Sequence, residues 1–200
     1  MKGSLIIVGF FVLGTICGVC HLLPFDIAET NISYYALCAL MFSVGLSVGN
    51  DPQPLKNFRS LNPRLVFLPI MTILGTLAGS AAVSLILTHR SITDCLAVGS
   101  GFGYYSLSSI FITEYKGAEL GTIALLANIS REILTLLAAP LLVRWFGNLA
   151  PISAGGATTM DTTLPIITRT AGQQFVVVSI FHGFVVDFSV PFLVTLFCSI

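Results

Sequence analysis

The stretch from Thr122 to Val143, TIALLANISREILTLLAAPLLV, restricts this chain more than any other. It is apolar for about the length a helix needs to cross a bilayer, roughly 20 residues at 1.5 Å each. Near its middle stands Asn-Ile-Ser-Arg-Glu, residues 128–132. An arginine or a glutamate at that depth costs about 2.5–3.5 kcal/mol on insertion scales, so such residues rarely sit there idle. On a helix Asn128 and Glu132 share a face, with Arg131 about 100° further round the axis. A polar site inside a membrane bundle accounts for that cost. The competing reading is a structural Arg131–Glu132 pair tying this helix to its neighbours. Leu125, Leu126, Leu134, Leu136 and Leu137 on both sides keep the charges away from an interface.

The rest of the composition agrees. Of 200 residues, 55% are hydrophobic and 9% charged, where a soluble domain carries about a quarter charged. This is the profile of a polytopic membrane protein. Formal net charge is zero, which gives no basis for nucleic-acid or polybasic surface binding. Five cysteines (Cys17, Cys20, Cys38, Cys95 and Cys198) lie in or beside apolar runs and read as small packing residues. The opening run, Lys2 then Leu5 to Gly18, has no A-x-A cleavage site, so the expectation is a first span left in place.

Taken in order, the first span runs from about Ser4 to Leu23 and the second from Ile32 to Val48. The loop that follows carries Lys56, Arg59 and Arg64, so the positive-inside rule makes it cytoplasmic, with the N-terminus on the same side. Asp51, before Pro52, reads as a turn aspartate. The third span, Leu65 to Thr88, contains a GxxxG at Gly75 and Gly79, a spacing that favours close helix approach.

Two later segments are poor helix formers. CLAVGSGFGYYSLSSIFITE, from Cys95 to Glu114, and SAGGATTMDTTLPIITRTAG, from Ser153 to Gly172, interrupt apolar runs with Gly, Ser, Thr and Asp161. Broken helices at membrane depth are tolerated only beside protein or a water-filled cavity. The last span, Phe175 to Ile200, carries His182 and Asp187, for which a helix-packing hydrogen bond is the plain reading. The expected fold is an all-α polytopic membrane protein of about seven transmembrane segments, two of them discontinuous. It forms one transporter domain over residues 1–200, with opening helices in 1–94 and the core in 95–200. Counting both broken segments as crossings puts the C-terminus outside. Interrupted Gly-rich segments flanking a buried charge point to a secondary transporter's midplane site. Ser100, Gly101, Gly155 and Gly156 at the breaks are candidates to hold a substrate carboxylate, Glu132 and Asp161 to hold protons or cations, and Asn128 and Arg131 to complete the polar site.

AVGSGFGYYSLSSIFITE, the N-x-x-R-E of Asn128 to Glu132, GGATTMDTTLPIITRTAG, and FHGF with Pro191 together resemble the bacterial lysine exporter family (LysO type). LMFSVGLSVGND leading into PLKNF matches less specifically. The resemblance covers nearly the whole chain. It implies a cation:proton antiporter-like inverted-repeat fold in the bacterial inner membrane, with discontinuous helices crossing at its centre. It also implies export of L-lysine and thialysine driven by the proton gradient, with no other cofactor. Family members carry a further block of about three helices ahead of the matching part, with an intramembrane aspartate thought to work with the motif's glutamate. The repeat is therefore expected to be incomplete, and a separately encoded small membrane subunit is expected to complete it.

Lysine carries two ammonium groups and one carboxylate, so its site needs acids and an anion holder. Glu132 is the first choice for the acid shared by proton and ammonium, and Asp161 the second. Arg131 is expected to neutralise a protein acid, Glu132 or Asp161, since it would repel the substrate's ammonium groups. Two rivals remain: a non-transporting assembly subunit, and an intramembrane serine hydrolase with Ser100 as nucleophile and His182 as base. The hydrolase motif lacks its first glycine, because position 98 is valine.

Overall fold

A computed structural model describes residues 63–87 and 89–200, together with 13, 14, 16–20 and 35. Most of the first two expected spans, with Cys38, Asp51, Lys56 and Arg59, lies outside the described residues. Met1–Asp51 and Pro52–Ile200 are separate compact units. Of the first, the described part is a short helical stretch closed by Cys20 N–H to the Ile16 carbonyl at 2.9 Å. The second contains everything that follows, and among its described residues all regular structure is helical.

Among the described residues, three helices are long and apolar enough to cross a membrane: Pro63–Ser84, Ala118–Phe146 and Gln173–Ser199. The first opens with a 3-10 turn and continues as α1 (Leu68–Ser84), with Pro69 in the first turn, where a missing N–H costs nothing. The second is α4 (Ala118–Phe146), about 43 Å long at 1.5 Å per residue. The third is α7 (Val176–Ser199), entered through the 3-10 turn Gln173–Phe175. Their outer faces are apolar. Leu126, Leu134, Leu137, Phe188 and Phe192 are exposed, the inversion of a soluble surface that lipid permits. The inward face of α4 is small and polar: Ala124, Asn128, Glu132, Thr135 and Ala139 repeat every three or four residues and are buried.

Both Gly-rich segments are broken, and both fold back. The first comprises α2 (Ile92–Gly99) and α3 (Tyr105–Lys116). Ser91 caps α2 by accepting the Asp94 N–H at 3.0 Å. An eight-residue helix spans about 12 Å, enough to reach mid-membrane and no further. At the far end of α3, Lys116 meets Asp94 at 3.6 Å, while Arg90 pairs with Glu119 at the start of α4. Thus α2 enters and α3 leaves at the same end of the bundle. The second segment comprises α5 (Ala150–Gly155), a 3-10 turn at Gly156–Met160 and α6 (Leu164–Ala171). Its two arms close at the opposite end, where Ile152, Ile167, Ala171 and Val178 pack with Leu65, Leu68, Val143, Leu149 and Phe175.

The expectation that both segments cross therefore gives way to two hairpins entering from opposite ends. Each reverses because its half-helices are too short to span, and each is followed by a full crossing helix. Two reversals cancel in the topology count, so the expected side of Ile200 is unchanged. The GxxxG expectation also moves. No described atom lies within 4 Å of where a Cβ would sit on Gly75 or Gly79. Close approach occurs instead where Ser80 of α1 sits against Gly99 of α2. The described cysteines Cys17, Cys20, Cys95 and Cys198 are free thiols.

Candidate functional site

The two hairpin tips meet. The Phe102 carbonyl accepts the Ala157 N–H at 2.9 Å, joining the first hairpin to the second through backbone alone. The turn around Phe102 needs two residues in left-handed conformation, Phe102 at φ 47° and Gly103 at φ 94°. Phe102 tolerates this because it is fully buried and held from several sides. Gly156, at φ 64°, is glycine for two reasons: its conformation, and a Cβ there would strike the Phe102 carbonyl.

Helix α4 braces both tips from one side. Asn128 accepts the Gly103 N–H at 2.7 Å and donates to the carbonyls of Val98 at 3.2 Å and Ala124 at 2.9 Å. Arg131 turns to the second hairpin. Its Nε donates to the Ala154 carbonyl at 2.8 Å and its Nη2 to the Ser153 carbonyl at 3.0 Å. Those carbonyls belong to the last turn of α5, where they have no partner further along the helix and carry the negative end of its dipole. Nη1 also reaches the Thr76 hydroxyl at 3.4 Å, and the guanidinium lies 5.9 Å from the Phe102 ring centroid. Arg131 is thus spent on backbone carbonyls. The expected pairing with Glu132 or Asp161 is absent among the described residues, whose ion pairs are Arg90–Glu119 and Lys116–Asp94. Consecutive residues on a helix point about 100° apart, so the Arg131 fork reaches the two α5 carbonyls and turns away from Glu132.

Glu132 faces the other way. It is 4% exposed, with the side chain of Thr162 as its hydrogen-bonding neighbour and Asp161 close enough for its charge to be felt. Asp161 caps the 3-10 turn and accepts the Thr162 N–H. Tyr105, the first residue of α3, senses both Glu132 and Asp161. The site residues thus divide. Glu132 and Asp161 come together near Tyr105 at the start of α3, and Asn128 and Arg131 form the brace. Ser100, Gly101, Gly155 and Gly156 form the tips. The Ser100, Gly101 and Gly156 N–H groups are bonded to Leu96, Val98 and Ile152 carbonyls. They shape the turns.

A third layer of contacts was less legible. His182, fully buried on α7, lies 2.9 Å from the Thr72 hydroxyl and 3.2 Å from that of Thr159. Thr159 and Ser179 exchange reciprocal side-chain bonds to each other's carbonyls, each 3.0 Å. His182 therefore has the packing role expected of it. The Ser100 hydroxyl donates to the Ala97 carbonyl at 2.8 Å, so the nucleophile–base pair of the hydrolase reading is not formed. Thr72 and Thr76 were visible only as lone hydroxyls within an apolar span.

The fold and this centre define a class: a helical membrane protein whose polar site lies between two broken-helix hairpins and two crossing helices. The family model described as "Lysine exporter LysO" matches residues 8–198, and the chain belongs to that family. It is 36% identical over 196 residues to the lysine exporter LysO of Escherichia coli (strain K12), covering 98% of this chain. The chain spans 64% of that relative's length. A relative from Haemophilus influenzae, named as a candidate lysine exporter, is 34% identical over 98% of this chain and 96% of its own. No solved structure gives a significant match.

Proposed function

We propose that this protein is a multi-pass transporter of the bacterial inner membrane that exports L-lysine and thialysine in exchange for protons. The observation that carries this reading is Glu132, buried at the hairpin junction with no cation paired to it among the described residues. A carboxylate without a counter-charge at this depth costs about 2.5–3.5 kcal/mol, and either a proton or an ammonium group relieves that cost. The two therefore compete for one acid, which is the minimal requirement for exchange. Asp161 adds a second acid beside it. The substrate's carboxylate is assigned to the first turn of α3, where a positive dipole end can meet an anion and where Tyr105 lies near both acids. Asn128 and Arg131 hold the tips in place, and the tip residues Ser100, Gly101, Gly155 and Gly156 set their shape. The two hairpin-plus-helix units, inverted relative to one another, support an antiporter-like inverted repeat. The proposal includes a small membrane subunit supplying further helices.

The test is release of preloaded lysine, and thialysine resistance, in cells lacking other exporters, with and without that subunit. Glu132→Gln keeps size and hydrogen bonding but cannot carry charge, and it is expected to insert normally and export nothing. Glu132→Asp is expected to leave a weak exporter. Wild-type export by Glu132→Gln would remove the mechanism. Full export by this chain alone would remove the subunit.

A further inference from the structure

The turn of the second hairpin is held from two sides. On the α4 side, Arg131 takes the Ser153 and Ala154 carbonyls. A Cβ on Gly155 would stand 3.5 Å from the Thr135 methyl, one helical turn from Glu132. On the α7 side the seat is Ser179, His182 and Gly183. Ser179 and Thr159 bond each other's carbonyls, and a Cβ on Gly183 would come within 2.6 Å of the Met160 nitrogen. The turn therefore lies directly on the backbone of α7.

Thr159 decides which nitrogen of His182 carries the proton. Its hydroxyl has one hydrogen and three neighbours: the Gly156 carbonyl at 2.8 Å, the Ser179 carbonyl at 3.0 Å and His182 Nδ1 at 3.2 Å. Carbonyls only accept, so the hydroxyl hydrogen goes to them and Nδ1 must carry its own. In the neutral ring Nε2 is then the acceptor, and it takes the Thr72 hydroxyl of α1 at 2.9 Å. The ring donates to the hairpin and accepts from a crossing helix.

Asp161 follows this turn and cannot move apart from it. The Thr158 carbonyl accepts the N–H groups of Asp161 at 3.2 Å and of Thr163 at 3.0 Å, and the Thr163 hydroxyl at 3.0 Å as well. Those bonds close the loop on which Asp161 stands, so a displacement of Thr159 carries Asp161 with it.

We propose that His182 is a positioning residue for export: its Nδ1–H fixes Thr159 and, through the loop closed at Thr158, the position from which Asp161 meets the substrate. The inference rests on the export reading, in which Asp161 is the second acid, and adds the residue that aims it. Thr72 sets the tautomer and is the lesser partner.

The experiment is lysine release from cells lacking other exporters, in whichever subunit background supports wild-type release, over a range of internal lysine loads. Membrane content and melting temperature of each variant are followed alongside. His182→Asn places an amide N–H where Nδ1 stands and nothing at Nε2, and His182→Gln does the reverse. His182→Gln and Thr159→Val are expected to raise the half-saturating lysine load about five- to tenfold, the order of one lost hydrogen bond. His182→Asn and Thr72→Val are expected to stay within about twofold of wild type. A purely structural role lowers the maximal rate in step with membrane content and leaves half-saturation unchanged in all four variants, and that result overturns the assignment. An equal shift in the Asn and Gln variants, or a shift in Asn alone, overturns it too. If neither His182 variant folds, Thr159→Val against Thr72→Val decides by the same criterion, and failure of Thr159→Val to fold overturns the assignment. Absence of lysine release by wild type overturns the export reading, and this one with it, before any variant is read.

Discussion

Replacing Asn128 by alanine isolates the brace between α4 and the first hairpin. Three bonds disappear, but they are unequal. The Ala124 carbonyl lies within α4, and the Val98 carbonyl also accepts the Gly101 N–H at 3.3 Å, so both keep a partner. The Gly103 N–H keeps none, because the Asn128 side chain is the acceptor it has in this buried turn. An orphaned buried donor costs about 1–3 kcal/mol. At about 2–4 °C per kcal/mol for a chain of this length, Asn128→Ala is expected to lower the melting temperature by roughly 2–12 °C. Gly101→Ala probes the same contact from the other side, since its new Cβ would press on the Asn128 amide and the Ser108 hydroxyl. In the double variant much of that pressure has no target. The two effects should therefore fall short of additivity by about 1 kcal/mol, within the range for residues in contact. Scanning fluorimetry of the four proteins decides it. If Asn128→Ala melts within about 1 °C of wild type, the Gly103 N–H is not held as described and the bracing argument fails.

For Arg131, lysine retains charge but not the fork that bridges the Ser153 and Ala154 carbonyls. Arg131→Lys is expected to lose at least about 1 kcal/mol of stability and most export, and Arg131→Met more of both, as measured by melting and lysine release. Equal behaviour of Lys and wild type would refute the carbonyl assignment. The hairpin topology predicts that Gly117→Cys reacts with an impermeant thiol reagent from outside and Gly172→Cys from the cytoplasm, in a background without other cysteines. Crossing segments would make at least one of those sites react from the opposite face. Ser100→Ala is expected to export normally and change the melting temperature little, because the Ala97 carbonyl it releases lies within helix α2; abolished activity would revive the hydrolase reading.

The charged helix was readable because insertion energetics are local: Arg131 and Glu132 stand out against twenty leucine-rich neighbours whatever surrounds them. The breaks were readable for the same reason, since glycine at 99, 101 and 103 and at 155 and 156 weakens helix wherever it occurs. Direction was not. Whether a broken segment crosses or returns depends on where its second arm packs, and that is settled by Lys116 finding Asp94 and by Ala171 joining Ile152. The partner of Arg131 was misjudged because the nearest opposite charge in sequence is a tempting neighbour, while the carbonyl ends of α5 exist only once the second hairpin has folded.

Joining the hairpin tips through the Ala157 N–H and the Phe102 carbonyl has a consequence for genetics. The bond contains no side-chain atom, so substitution scans that trim side chains report the packing of positions 102 and 157 and not the link itself. Only a change to the main chain reaches it: proline at 157 deletes the donor outright. A survey of side-chain variants would thus record packing at the centre of the molecule and miss the bond that joins its two halves.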